Sequence, residues 1–179
     1  MTNESEISKS FLQSAIAMFR SQKKLAERAI EQLSDEQLHR ALDENTNSVA
    51  VIMKHMAGNM LSRWTDFLET DGEKPWRHRD REFVDDLASR NELTAFWERG
   101  WSRLLTTLDT LAPVDLSKTI IIRGEAHSVI EAIHRQMDHY GYHVGQIVQV
   151  ARVMAKDRWT TLTVPRGGSE EYNLRVWKG

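Results

Sequence analysis

The chain has 179 residues, with 24 Lys and Arg against 26 Asp and Glu, for a net charge of −2. That near balance lacks the basic footprint of a general nucleic-acid binder, and no apolar run approaches the ~18–20 residues that span a bilayer as a helix. Cys is absent, which excludes a disulfide framework, a thiolate metal site and a Cys nucleophile.

Residues 5–33 carry neither Gly nor Pro. Ile7, Phe11, Leu12, Ala15, Met18, Phe19, Leu25, Ala29 and Leu33 recur mostly at steps of three and four, which predicts a first amphipathic helix. Ser34 with Gln37 signals the cap of a short extra turn ending near Ala41. Asn47 or Ser48 caps a second helix over 48–70, with an apolar stripe of Val49, Ile52, Met53, Met56, Met60, Trp64 and Phe67. Residues 71–90, stopped by Asp71-Gly72 and broken by Pro75, predict a long ordered connection carrying Trp76 and Phe83. Its charge mix from Lys74 to Asp86 reads as a solvated loop. A third helix covers 91–112 and ends at Pro113. Thr119–Ile122 is β-prone but too short to nucleate a sheet alone. Ser128 with Glu131 forms a capping box for a fourth helix running to about Lys156. The tail from Asp157 is irregular, with a last short turn near Glu170–Trp177. The sum is a single all-α domain over 1–179: a four-helix bundle with a long second connection and an irregular C-terminal tail. The start, MTNESEISKSFLQ, has no secretory apolar core, so a cytoplasmic protein is expected.

His139 and His143 stand four apart on the fourth helix, so both imidazoles leave one side about a turn apart. That geometry chelates one metal ion, although spacing alone equally describes two half-buried, hydrogen-bonded histidines. His55 strengthens the first reading. It lies on a polar stripe of the second helix with Ser48, Asn59 and Ser62, and the fourth helix has its own stripe in Gln136, His139, His143 and Gln146. Burying either stripe costs several kcal/mol unless its groups find partners. Two stripes facing across a bundle satisfy each other or enclose a metal. Three imidazoles with an open fourth position describe a catalytic zinc-type centre, not a closed structural one. Asn59, Gln136 and Asp138 are candidates to orient the ligands. Gly58, Gly141 and Gly145 weaken helices and predict close approach near the site. Arg63 either reaches an anionic substrate group or pairs on the surface with Asp66 or Glu69. Asn59 and Arg63 are thus the candidate substrate-binding residues, and no catalytic residue beyond the metal ligands is assigned.

His39 and His78 read as exposed, His127 as a helix-start residue, and His134 as off the stripe. No P-loop, G-x-S-x-G elbow or His-Glu-x-x-His occurs, and Glu131-x-x-His134 has no second copy for a di-iron bundle. Trp64, Trp97 and Trp101 fall on apolar helix faces. Trp76, Trp159 and Trp177 are left to line a pocket mouth or a subunit contact.

His55, the His139-x-x-x-His143 pair and the segment Tyr140-Gly141-Tyr142-His143-Val144-Gly145-Gln146-Ile147 resemble the DinB-like (YfiT-like) family of four-helix metalloenzymes. Asn47–Leu68, Asp71–Trp76 and the tail Trp159–Ser169 resemble a bacterial subgroup of it. The resemblance runs from the first helix into the tail. It implies an up-down-down-up bundle, commonly a homodimer, with Zn²⁺ or Ni²⁺ on His55, His139 and His143. It also implies a transferase in which a low-molecular-weight thiol, such as bacillithiol or mycothiol, is the nucleophile. Two alternatives stay open: a metal-dependent hydrolase, which needs a base beside the ion, and a non-enzymatic dimeric stress or binding protein. Neither nucleic acid nor membrane is an expected partner.

Overall fold

Serine caps set where the helices begin. In the computed structural model, which describes residues 2–87 and 89–176, the Ser48 hydroxyl accepts from the Val51 amide at 3.2 Å and Ser89 from Glu92 at 3.2 Å. Ser34 with Gln37, and Ser128 with Glu131, close reciprocal capping boxes. The resulting helices are α1 (Thr2–Ile30), α2 (Asp35–His39), α3 (Val49–Trp64), α4 (Arg90–Thr110), α5 (Val129–Ala155) and α6 (Ser169–Val176). One antiparallel hairpin pairs β1 (Thr119–Ile122) with β2 (Glu125–Ser128).

The all-α expectation holds, with two differences of detail. The second helix stops at Trp64 and does not run to residue 70, because Thr65 is extended and Asp66 takes a left-handed φ of 46°. The Asp66 carbonyl then closes a turn with the amides of Glu69 and Thr70. Phe67 still packs into the core from that turn. The β-prone run is half of a hairpin whose two-residue turn, Arg123-Gly124, has both φ positive (55° and 76°). That is the twist a tight hairpin demands. Its second strand, Glu-Ala-His-Ser, has no strand-like composition, so it was invisible in sequence.

Contacts fix the directions of the four long helices. Phe11 meets His134, Phe19 meets Tyr140 and Gln37, just beyond α1, reaches Met154, so α1 and α5 run parallel. Gly100 abuts Ala57 and Thr107 bonds the Trp64 carbonyl, so α3 and α4 are also parallel. Lys23 pairs with Glu98 and Arg20 with Asp109, which sets α1 against α4. His55 meets His143, and Trp64 meets Tyr140, which sets α3 against α5. The bundle is therefore up-down-down-up. Parallel neighbours α3 and α4 require the chain to return the full length of α3, about 24 Å at 1.5 Å per residue. This is why the second connection is long.

Trp64, Trp97 and Trp101 are buried in the core, with Phe19, Tyr140 and the Met53, Met56 and Met60 stripe. Trp159 packs partly against this core, whereas Trp76 is exposed; Trp177 lies outside the described residues. No residue of α6 is buried. Among the described residues, no helix is long and apolar enough to cross a membrane.

The returning connection is stitched down at defined points. Ser62 Oγ donates to the Gly72 carbonyl and accepts from the Lys74 amide, both at 3.0 Å. Asp71 accepts from the amides of Glu73, Arg123 and Gly124 at 2.7–2.8 Å, which clamps the hairpin turn onto the connection. The connection is thus fixed to α3 at Ser62, and the hairpin turn is fixed to the connection.

Candidate metal centre

Mid-bundle, α3 and α5 bring His55, His139 and His143 together, with one ring nitrogen from each lying within 4.8 Å of the others. His139 Nε2 lies 3.4 Å from His55 Nε2 and 3.2 Å from His143 Nε2. For three nitrogens at 2.0–2.1 Å from a tetrahedral ion, neighbouring nitrogens stand about 3.3 Å apart. The two separations from His139 fit that donor set.

Two of the rings are oriented by their own outer nitrogens. His55 Nδ1 is 2.9 Å from Glu82 Oε2, and His143 Nδ1 is 2.8 Å from Gln146 Oε1. Gln146 donates its amide to the Tyr142 hydroxyl at 3.0 Å, which turns its oxygen toward His143. Both acceptors demand a proton on Nδ1, so Nε2 of His55 and of His143 presents a lone pair inward. His139 Nδ1 is buried without a partner. Burial, then the positive potential of His143, His55, Arg77 and Arg63, lowers the His139 imidazole to about 3. Burial also lowers His143, outweighing the Gln146 hydrogen bond that raises it. Both rings are therefore neutral at pH 7, the state in which imidazole ligates.

Glu82 is the residue that the sequence did not reveal. It lies on the 3₁₀ turn Arg79–Phe83 within the stretch read as solvated loop, yet it is buried. Arg77, whose side chain is 2% exposed, grips both of its oxygens from Nε and Nη2 at 2.8 Å. Burial alone would raise the Glu82 carboxyl, but Arg77 and His55 outweigh it and hold it below its ordinary value. Phe83 stacks on the His55 ring with centroids 4.8 Å apart. The expected orienting partners thus change: Glu82 and Gln146 hold the imidazoles, while Asn59 accepts from the Tyr140 hydroxyl at 2.9 Å. The Gln136 carboxamide oxygen has no partner. The single available sequence signal was Gly58, whose absent Cβ would sit 2.3 Å from Glu82 Oε1. Gly58 makes room for the connection, not for a helix. A Cβ on Gly141 would lie 3.1 Å from Gln22 of α1, and one on Gly145 would meet nothing within 4 Å, so close approach does not explain Gly145.

A cleft of about 470 Å³ opens beside the cluster. His55, His139, Asn59, Gln136, Asp138 and Tyr142 line it, together with Arg63, Arg77, Arg79, Arg123 and Arg135. Arg63 is buried and not a surface residue; its carboxylate neighbour is Glu73 at 3.8 Å, not Asp66 or Glu69. A second cleft of equal volume, between Gln37 and Arg158, holds no comparable group of ligating side chains among the described residues. Of the remaining histidines, His39 meets Asp85, His78 is exposed, His127 lies on β2 and His134 edges Phe11.

Fold and site together define an all-α bundle with a three-histidine cluster, His55 buried and the other two half-buried, able to hold a metal ion. The chain belongs to the family described as "Protein of unknown function (DUF1572)", which it matches over residues 6–168. A search of the curated proteins finds no match.

Proposed function

We propose that this chain is a DinB-like metal-dependent enzyme in which His55, His139 and His143 hold one zinc or nickel ion, and that it transfers the sulfur of an external low-molecular-weight thiol to an electrophile. The observation that carries the reading is the convergence of three imidazoles within 4.8 Å, with His139 Nε2 at 3.4 and 3.2 Å from the Nε2 atoms of His55 and His143, whose lone pairs are directed inward, beside an open cleft. A divalent ion there supplies the charge that deprotonates a thiol whose free pKa is near 8.5. The chain has no Cys, so the sulfur comes from outside. Its own groups do the rest. Glu82 and Gln146 keep the His55 and His143 tautomers fixed, the arginine-lined wall orients the reactants, and the bundle interior behind the cluster excludes water. As the sulfur–carbon bond forms, the leaving group departs with its electron pair and the thiol proton passes to solvent.

A hydrolase needs a free base next to the ion. Both Glu82 oxygens are committed to Arg77 and His55, which leaves Asp138 on the cleft wall as the residue for that role. The same proposal includes a homodimer, read by light scattering. Its chemistry is tested with Co²⁺-loaded protein titrated with thiols, followed by turnover of monochlorobimane with each. A sulfur-to-metal charge-transfer band with metal-dependent turnover supports transfer. Ester or amide hydrolysis with no thiol band and no bimane product replaces it with the hydrolase.

A further inference from the structure

Arg63 is 2% exposed, lies in the cleft wall, and has both Nε and Nη1 without a hydrogen-bond partner. Its one carboxylate neighbour within 4.0 Å, Glu73, is 3.8 Å away, too far to hydrogen-bond. Glu73 is moreover already shared with Arg77 at 3.3 Å and Arg123 at 3.1 Å. Arg77 is committed to Glu82. Two carboxylates therefore answer three guanidinium groups, and Glu82 is spent on Arg77, which leaves Glu73 to be shared by Arg63 and Arg123. Arg79 and Arg135, also on the wall, make no ion pair among the described residues. Asp138 is the one acidic residue lining the cleft against five arginines. A buried guanidinium short of anions is unfavourable unless a partner completes it. Opposite on α5, Gln136 is also 2% exposed and cleft-lining, with Oε1 unpartnered.

We infer that this end of the cleft is an oxyanion-recognition site, in which Arg63, backed by Arg79, Arg123 and Arg135, binds the carboxylate or phosphate group of an elongated ligand. A guanidinium fork matches either oxyanion with paired N–H donors. Gln136 Oε1 accepts from a hydroxyl or amide N–H next to that group. Position sets the ligand's length. His55, Asn59 and Arg63 occupy successive turns of one face of α3, and eight residues span about 12 Å of axis. Helical side chains lean toward the helix N-terminus, so the guanidinium sits closer to the histidines than its own Cα does. The ligand thus carries its anionic group several bonds from the atom that meets the histidines. Only that far end rests on the proposed thiol chemistry; the oxyanion site stands without it.

The test uses chelator-treated, metal-free protein, titrated calorimetrically at low salt with inorganic phosphate and, separately, with succinate. At least one is expected to bind saturably with Kd near or below about 1 mM. Arg63→Lys, which keeps the charge but loses the fork, weakens it by about tenfold or more. Should Arg63→Lys not fold, the Arg79→Glu/Arg135→Glu pair, at exposed positions, gives the same loss with the circular dichroism unchanged. Because the titration is run on metal-free protein and the metal reading is tested by metal content, this inference and the metal reading fail separately. Phosphate binding alone, or succinate binding alone, assigns the anionic group. No saturable binding of either up to about 10 mM, or affinity unchanged in the arginine variants, overturns the inference.

Discussion

Gly58→Ala pits helix propensity against the packing of the candidate site, and the two predict opposite signs. Gly58 lies inside α3, where Ala is favoured over Gly by about 1 kcal/mol, so on propensity alone the substitution stabilises. The new Cβ, however, would lie 2.3 Å from Glu82 Oε1, 2.8 Å from its Cδ and 3.2 Å from its Cγ. Glu82 is not free to swing aside, since Arg77 holds both oxygens and His55 one of them. Moving Oε1 breaks at least the bond from Arg77 Nε, and a hydrogen bond to a charged group contributes about 1.5–3 kcal/mol. The net expectation is destabilisation by about 0.5–2 kcal/mol, which for a chain of this size lowers Tm by about 1–8 °C. Urea unfolding of metal-free protein measures it. In a Glu82→Ala background the obstacle is gone, and the same Gly58→Ala change should stabilise by about 1 kcal/mol, giving a coupling of about 1.5–3 kcal/mol. Stabilisation by Gly58→Ala in the otherwise native chain would refute the argument that Gly58 exists to admit Glu82.

Glu82→Gln keeps the shape but weakens the hold on His55, and should reduce zinc affinity about 10–100-fold in a competition titration with the fold retained; unchanged affinity would remove the carboxylate from the account. Tyr140→Phe strands Trp64 Nε1, 3.2 Å from the hydroxyl, and Asn59 Oδ1, 2.9 Å from it, and should cost about 1–3 kcal/mol by chemical denaturation. The stability of the metal-free protein should fall with acid. His139 is lowered to about 3 in the folded state, so between that value and its ordinary ~6.5 the unfolded chain binds more protons. The contribution is complete above about pH 6.5 and is lost as pH falls toward 3, with the depressed Glu82 carboxyl adding to the loss at the lower end. Urea midpoints between about pH 4.5 and 7 should drop in the native chain and drop less in His139→Gln; parallel curves would contradict the assignment.

What sequence made legible divides along the range of the interactions involved. Caps at Ser34, Ser48 and Ser128 are local hydrogen bonds between residues three apart, and each formed where its motif stands. The apolar stripes placed Trp64, Trp97 and Trp101 in the core for the same reason, since period and burial are one property. The His139-x-x-x-His143 spacing is likewise local, and His55 joined it because two polar stripes inside a bundle must meet. Long-range partners were not legible. Glu82 reaches His55 across 27 residues of sequence, from a charged stretch without period, so nothing nearby marked it as buried. The second strand depends on the Arg123-Gly124 turn and on Asp71, 52 residues from Arg123, and not on its own composition. For Arg63 the sequence leaves a substrate contact and a surface ion pair both open, because cover by a distant segment has no local signature. The returning connection, pinned by Ser62, is what covers it.

The central claim is that His55, His139 and His143 hold one divalent ion. Metal analysis of the purified protein, repeated after zinc or nickel loading and removal of excess, tests it most directly alongside His55→Ala, His139→Ala and His143→Ala. The account predicts one ion per chain, lost or weakened by orders of magnitude in each variant while helical circular dichroism is retained. A protein that takes up no ion on loading, or whose metal content is unchanged when any two of the three imidazoles are removed, would contradict it.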